Sequence, residues 1–173
     1  MAGKFIKIKS LTGTDVANLN LTTCFNERYN IYEIFTTIKR ASGSSSTAAY
    51  QRFLDSSGSE ITGSNYNEGT WRNSQNSGSY DRVYSTSDTY MNSVSFYDAD
   101  SLATIRHIIS NPYENDRYIS GYVSRYYEIN SPSERANYGL SGLKDVQTVT
   151  GIKTYSTSGN IDVDIAVYAY EAT

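Results

Sequence analysis

Thr150-Gly151-Ile152-Lys153-Thr154-Tyr155-Ser156-Thr157-Ser158-Gly159-Asn160-Ile161-Asp162-Val163-Asp164-Ile165-Ala166-Val167-Tyr168-Ala169-Tyr170 decides the fold. Two alternating runs flank a Ser-Gly-Asn turn, a pattern that reads as a β-hairpin. In the second run Ile161, Val163, Ile165 and Val167 recur every second residue and share one face, while Asp162, Asp164, Tyr168 and Tyr170 share the other. One face is core and one is not. The regularity of this alternation places residues 161–170 inside a sheet rather than at a frayed end.

Outward from this segment, alternating runs predict further strands at residues 4–9, 18–24, 30–40, 47–54, 80–85, 92–98, 103–110 and 117–129, with the closing pair at 146–155 and 161–170. Ten short strands without a 3.6-residue period imply an all-β sandwich or barrel. The expected core includes Ile6, Ile8, Ile34, Val94, Ile105, Val123, Ile161, Val163 and Ile165. Between the runs lie clusters of turn residues such as Thr12-Gly13-Thr14-Asp15, Asp55-Ser56-Ser57-Gly58-Ser59 and Asn111-Pro112-Tyr113-Glu114-Asn115. The stretch from Asp55 to Tyr80 is too long for an ordinary loop and has room to hide a strand. Tyr66 and Trp71 within it are the aromatic anchors expected to pin it to the core, with ligand binding as the alternative role.

The composition agrees: 17 Tyr, 12 Gly and only 2 Pro among 173 residues, with Tyr, Thr, Ile and Val suited to pleated surfaces. A chain of this length forms one domain, residues 1–173, and buries about 70% of its unfolded surface without help from disulfides or metals. A net charge of −3, from 15 basic and 18 acidic residues spread along the chain, supplies no basic stripe for phosphates, so no nucleic-acid partner is expected. No apolar run is long enough for a membrane span, and Met1-Ala2-Gly3-Lys4-Phe5-Ile6-Lys7 has no signal-peptide core. A soluble protein made in a reducing cytosol is the expectation, with no membrane partner. Cys24, the single cysteine, is expected as a small buried side chain.

Catalytic chemistry finds little support. The one histidine, His107, shares a strand face with Ile105 and Ile109, which suits a packed residue better than a base. There is no nucleophile elbow, no Cys near a His and no Cys/His metal spacing. Two acidic pairs, Asp98/Asp100 and Asp162/Asp164, have the i, i+2 spacing that places carboxylates side by side, as a glycosidase or an oxygen-ligand cation site would need. A solvated face explains the second pair more simply. The expectation is a non-enzyme with no catalytic residues, no metal and no cofactor.

The aromatic pattern is more specific. In Arg117-Tyr118-Ile119-Ser120-Gly121-Tyr122-Val123-Ser124-Arg125-Tyr126-Tyr127-Glu128-Ile129, Tyr118, Tyr122 and Tyr126 share one face with Ser120 and Ser124, and Ile119, Val123, Tyr127 and Ile129 share the other. Tyrosine offers a large rigid surface and a hydroxyl at low entropic cost, so the Tyr/Ser face reads as a subunit interface or a glycan site.

The closing stretch resembles the C-terminal end of a family of small tailed-phage virion proteins, which carry an Ile-x-Gly-Ile run, an aromatic, serines and Gly-Asn before a last apolar strand. Other elements follow in similar order: Tyr29-Asn30-Ile31-Tyr32-Glu33-Ile34, then Asp55-Ser56-Ser57-Gly58, a Tyr/Ser-rich middle, and Val94-Ser95-Phe96-Tyr97-Asp98-Ala99 leading into Leu102-Ala103-Thr104-Ile105-Arg106. The chain departs from the family at Asp162-Val163-Asp164 and at Tyr168-Ala169-Tyr170-Glu171. The resemblance implies a jelly-roll β-sandwich of about 8–10 antiparallel strands, used as a non-enzymatic building block on the particle exterior as head decoration or as a tail or fibre component. It further implies assembly in the host cytoplasm into the virion, other virion proteins and further copies of the chain as partners, and a host surface glycan as the alternative partner of an adhesin.

Overall fold

A computed structural model describes residues 4–42, 47–74, 79–96, 101–130 and 133–171. These form twelve strands: β1 (Lys4–Val16), β2 (Asn18–Leu21), β3 (Ile31–Arg40), β4 (Thr47–Asp55), β5 (Tyr66–Ser74), β6 (Ser79–Asp88), β7 (Asn92–Phe96), β8 (Leu102–Ser110), β9 (Ile119–Asn130), β10 (Ser133–Leu143), β11 (Val149–Ser156) and β12 (Ile161–Glu171). An eight-stranded sheet runs β1-β12-β3-β8-β9-β10-β5-β6 and faces a four-stranded sheet, β2-β11-β4-β7. All pairings are antiparallel, and no helix occurs among the described residues.

The topology is that of a jelly roll with two inserted hairpins. β1 pairs with β12, β2 with β11, β3 with β8 and β4 with β7. First meets last and the pairing steps inward, as when one long hairpin is rolled so that successive strands alternate between two sheets. The hairpin β5–β6 enters between β4 and β7, and β9–β10 enters between β8 and β11. Because β9 joins β8 and β10 joins β5, both hairpins extend the same sheet beyond β8.

Two corrections to the sequence reading follow. The described residues form twelve strands rather than ten, because β5 hides within the Asp55–Tyr80 stretch and β10 covers a Ser-, Gly- and Asn-bearing run that the propensities pass over. Each has partners on both sides, and tertiary pairing overrides weak propensity there. The closing stretch is not a hairpin: β11 lies between β2 and β4, whereas β12 lies between β1 and β3. Alternation states which side of a strand meets the core but not which strand lies beside it. Gly159, at a φ of 70°, turns the chain from one sheet to the other. Beyond it Asn160 Nδ2 donates to the carbonyl of Asp15 at 3.0 Å, and Asp162 Oδ1 accepts from the Asp15 amide at 2.8 Å.

The core lies between the sheets. Ile34, Val94, Ile105, Val123, Ile161, Val163 and Ile165 are buried as expected, while Ile6 and Ile8 pack half-buried against the cluster from the edge strand. The final strand is interior, its Ile161, Val163, Ile165, Val167 and Ala169 all sealed. Phe25 meets Tyr32 and Phe53 edge-on, with centroids 5.0 and 6.3 Å apart. Cys24 is buried beneath β2 with its thiol 3.5 Å from the Leu21 carbonyl, and burial pushes that thiol up to about 12.

Candidate recognition face

β9 alternates as the sequence predicts. Ile119, Val123 and Tyr127 face inward and are buried, and Arg125 shares their parity and is buried with them. Tyr122 and Tyr126 stand on the outer face, 43% and 45% exposed, and Tyr118 stands exposed just before the strand. Residues four apart along a strand are separated by about 13 Å, so the three rings form a column rather than a stack.

The strand register widens this column into a face. Tyr126 lies opposite Ala136 of β10, Ser124 opposite Tyr138 and Tyr122 opposite Leu140. Tyr138 in turn lies opposite Trp71 of β5, and Trp71 opposite Arg82 of β6. Gly69 lies between Leu140 and Tyr84, and Asn73 faces Tyr80. Tyr80, Tyr84, Trp71, Tyr138 and Leu140 are all exposed. Two shallow grooves of about 430 and 420 Å³ flank Tyr122: one is floored by Phe35, Arg106, Ser124, Tyr126 and Tyr138, the other by Tyr84, Tyr118, Ser120, Leu140 and Lys144.

On the other half of the sheet the same face carries a tied-down cluster. Phe5 stacks on Tyr168 with centroids 4.6 Å apart, and Phe35 meets Tyr168 edge-on at 5.8 Å. Glu33, almost fully buried, takes a charge-assisted hydrogen bond from Arg106 Nε and another from the Tyr170 hydroxyl at 2.5 Å. The Glu33 contact lifts the Tyr170 hydroxyl above its ordinary range. Arg106 is thereby held over Phe35 at the groove, with its outer surface open to solvent.

The structure separates the two aromatics of the Asp55–Tyr80 stretch. Trp71 is 52% exposed on the recognition face and does not anchor the core, because β5 parity sends Tyr66, Glu68 and Thr70 inward instead. Tyr66 is the anchor. Its hydroxyl accepts from the Phe53 amide at 3.0 Å and donates to the Ile61 carbonyl at 3.1 Å. The sequence reading missed Tyr138, Leu140, Tyr80, Tyr84, Arg106 and Phe35 as members of the face. Alternation of Ala136, Tyr138 and Leu140 was the available signal for β10.

Beneath the face lies a buried polar network. The Asn92 amide donates to Gln51 Oε1 at 3.1 Å and approaches His107 Nδ1 at 3.5 Å, and His107 Nε2 lies 3.3 Å from Ser141 Oγ. Ser141 Oγ is 3.3 Å from the Met91 carbonyl, so a neutral imidazole with its proton on Nε2 completes the chain of donors and acceptors. Burial pushes His107 down to about 3. Alongside, Arg125 forms a buried ion pair with Glu68 and donates to the Ser93 carbonyl at 3.1 Å. This network lies between the sheets; Arg125 borders one groove and Glu68 and Ser141 border the other, whereas His107 borders neither.

The acidic pair Asp162/Asp164 is engaged with the edge strand, since Asp164 Oδ1 accepts from Thr12 Oγ1 at 2.5 Å and Asp162 binds the Asp15 amide. Asp98 and Asp100 lie outside the described residues. No group of three or more His, Cys, Asp or Glu gathers as metal ligands among the described residues.

No family model matches the chain, and no curated protein matches it in sequence. Similar solved structures include the CBM2 module of Lactobacillus casei BL23 phage J-1 evolved Dit, with 6% identity over 100% of this chain and 99% of that one at a TM-score of 0.32. Others are the alginate lyase from Alteromonas sp. 272, with 12% identity over 90% and 79% at a TM-score of 0.26, and the polysaccharide lyase family 18 protein aly-SJ02 r-CATD, with 11% identity over 90% and 79% at a TM-score of 0.27. Likenesses this remote fix no family; what the geometry establishes is a jelly-roll β-sandwich with an aromatic outer face.

Proposed function

We propose that the protein is a non-enzymatic surface component of a tailed-phage particle, and that the outer face of its eight-stranded sheet recognises polysaccharide. The particle setting comes from the sequence resemblance. The observation that carries the recognition role is the register Ser124–Tyr138–Trp71–Arg82, which sets two adjacent aromatic platforms between hydrogen-bonding groups across four neighbouring strands. A sugar ring has an apolar C–H face and a rim of hydroxyls, so it matches flat aromatic rings bordered by donors and acceptors. His107, sealed between the sheets, is out of reach of a ligand on this face, which supports a binding role without chemistry. Aromatics from Phe5 on β1 to Tyr80 on β6 span eight strands, about 34 Å at ordinary strand spacing. That breadth also favours a second reading, in which part of the face packs against other virion proteins.

Two measurements test the reading. Mass spectrometry of purified particles should find the chain in virions, and its absence would defeat the particle setting. A glycan array should give a signal that Tyr122→Ala abolishes while the melt is unchanged. A wild type that binds nothing on the array overturns glycan recognition and leaves the packing role.

A further inference from the structure

The eight-stranded sheet ends at β6, and that edge differs from the other three in the molecule. On the opposite edge, β1 carries Lys4, Lys7 and Lys9 and two register shifts, the charges and bulges that blunt an edge against further pairing. The four-stranded sheet ends in β2 and β7, four and five residues long among the described residues. β6 runs ten residues without lysine or proline. Its one irregularity is the bulge at Thr86–Ser87, where two residues oppose Asn67 alone. From Ser79 to Ser85 the outer edge has no strand beside it among the described residues.

We propose that this edge pairs with the same edge of a second copy, antiparallel about a two-fold axis at Val83. Residues directly opposite one another must point to the same side of a continuous sheet, which restricts the axis to a residue position. An axis at Asp81 or at Arg82 sets like charges against each other. An axis at Tyr84 runs Arg82 and Asp81 against the bulged Thr86 and Ser87. The axis at Val83 sets Arg82 of each copy opposite Tyr84 of the other and Asp81 opposite Ser85, all within the regular part of the strand. Arg82 already lies 5.4 Å from the Tyr84 ring of its own strand, so the dimer surrounds each guanidinium with two tyrosines. The axis is normal to the sheet. Both aromatic faces therefore look the same way and join into one sixteen-stranded surface, a bivalent arrangement for any repetitive ligand.

Light scattering on a size-exclusion column should give twice the 19.3 kDa chain mass. Proline at Val83 and, separately, at Tyr84 divides the two sides of β6, because neighbouring amides point to opposite edges. One variant should become monomeric with a melt near the wild type, and the other should lose stability through the β5 ladder. Val83→Lys leaves every backbone bond in place and sets two ammonium groups together at the axis, so association should weaken at least about tenfold. Tyr122→Ala, which tests glycan recognition, should leave the dimer intact. A wild type that is monomeric at every concentration, or a dimer indifferent to both prolines and to Val83→Lys, overturns the proposal.

Discussion

Tyr138 stands directly opposite Trp71 across the β10–β5 ladder, and both rings are open to solvent on the same side of the sheet. The pair offers a flat platform to solvent. Trp71→Ala or Tyr138→Ala should each cost more than about 1 kcal/mol of ligand affinity, the range of an interface hot spot. The melt should shift by no more than about 0.5 kcal/mol, as for ordinary surface changes. Titration calorimetry with a glycan identified on the array, paired with thermal unfolding, checks both. A variant that unfolds in step with its loss of affinity would mean the rings support the sheet instead.

His107 should make stability depend on pH. Its folded-state value is depressed to about 3 and its unfolded value is near 6.5, so below pH 6.5 the unfolded chain takes up a proton that the native chain refuses. The sign is fixed by linkage: stability is present above the unfolded value and is lost as pH falls toward the folded one. Between pH 6 and 5, where carboxylates contribute little, unfolding free energy should drop by up to about 1.4 kcal/mol per pH unit. His107→Gln should flatten that slope. Denaturant titrations at half-unit pH steps measure it directly.

These two relationships were not equally legible in the sequence. Parity alone placed Tyr118, Tyr122 and Tyr126 outside and Ile119 and Val123 inside, because strand alternation is a local property of the backbone. It also implied that Arg125 points inward with them, yet a charge at that position makes sense only when Glu68, 57 residues away, is known to meet it. Gly121 tells the same story: a Cβ there would lie 2.7 Å from His107 Nε2 and 2.4 Å from the Ile108 carbonyl, a constraint that no local pattern reveals. The crossing at Gly159 looks like a hairpin from its local pattern for the same reason, since the partner of a strand is a long-range fact.

The buried Arg125–Glu68 pair should be costly to break and cheap to replace. Glu68→Gln leaves a guanidinium uncompensated in the core, at about 3–5 kcal/mol. Replacing both residues with apolar side chains of similar volume removes the uncompensated charge, and such swaps are often neutral or stabilising. The Ser93 carbonyl loses a donor in that double variant, which limits the recovery. Chemical denaturation of Glu68→Gln and Glu68→Leu/Arg125→Met separates the two cases, and equal losses would show that the network as a whole is required.

Cys24 should resist thiol reagents in the native state, because its side chain is sealed and burial holds it in the neutral form up to about 12. Labelling with iodoacetamide at pH 8 should proceed only as fast as the protein opens and should become rapid in denaturant. Fast native labelling would mean that β2, four residues long at the edge of its sheet, opens locally.

The strand from which the fold was read is also the one the fold can least spare. β12 lies between β1 and β3, with Ile161, Val163, Ile165, Val167 and Ala169 facing the core and ladders on both sides. Ending the chain before Ile161 removes those side chains and leaves β1 and β3 with facing unpaired edges inside the sheet. Exposed edges of this kind recruit other chains, so the truncated protein should aggregate or fail to fold. Ile165→Ala tests the same contacts more gently and should cost about 2–5 kcal/mol, since a buried methyl cluster is replaced by a cavity that the flanking strands close only in part. Solubility and cooperative melting of the two variants provide the check. If the truncated chain remained soluble with the wild-type melt, β12 would be dispensable and the rolled pairing of first strand with last would not be what holds the sandwich together.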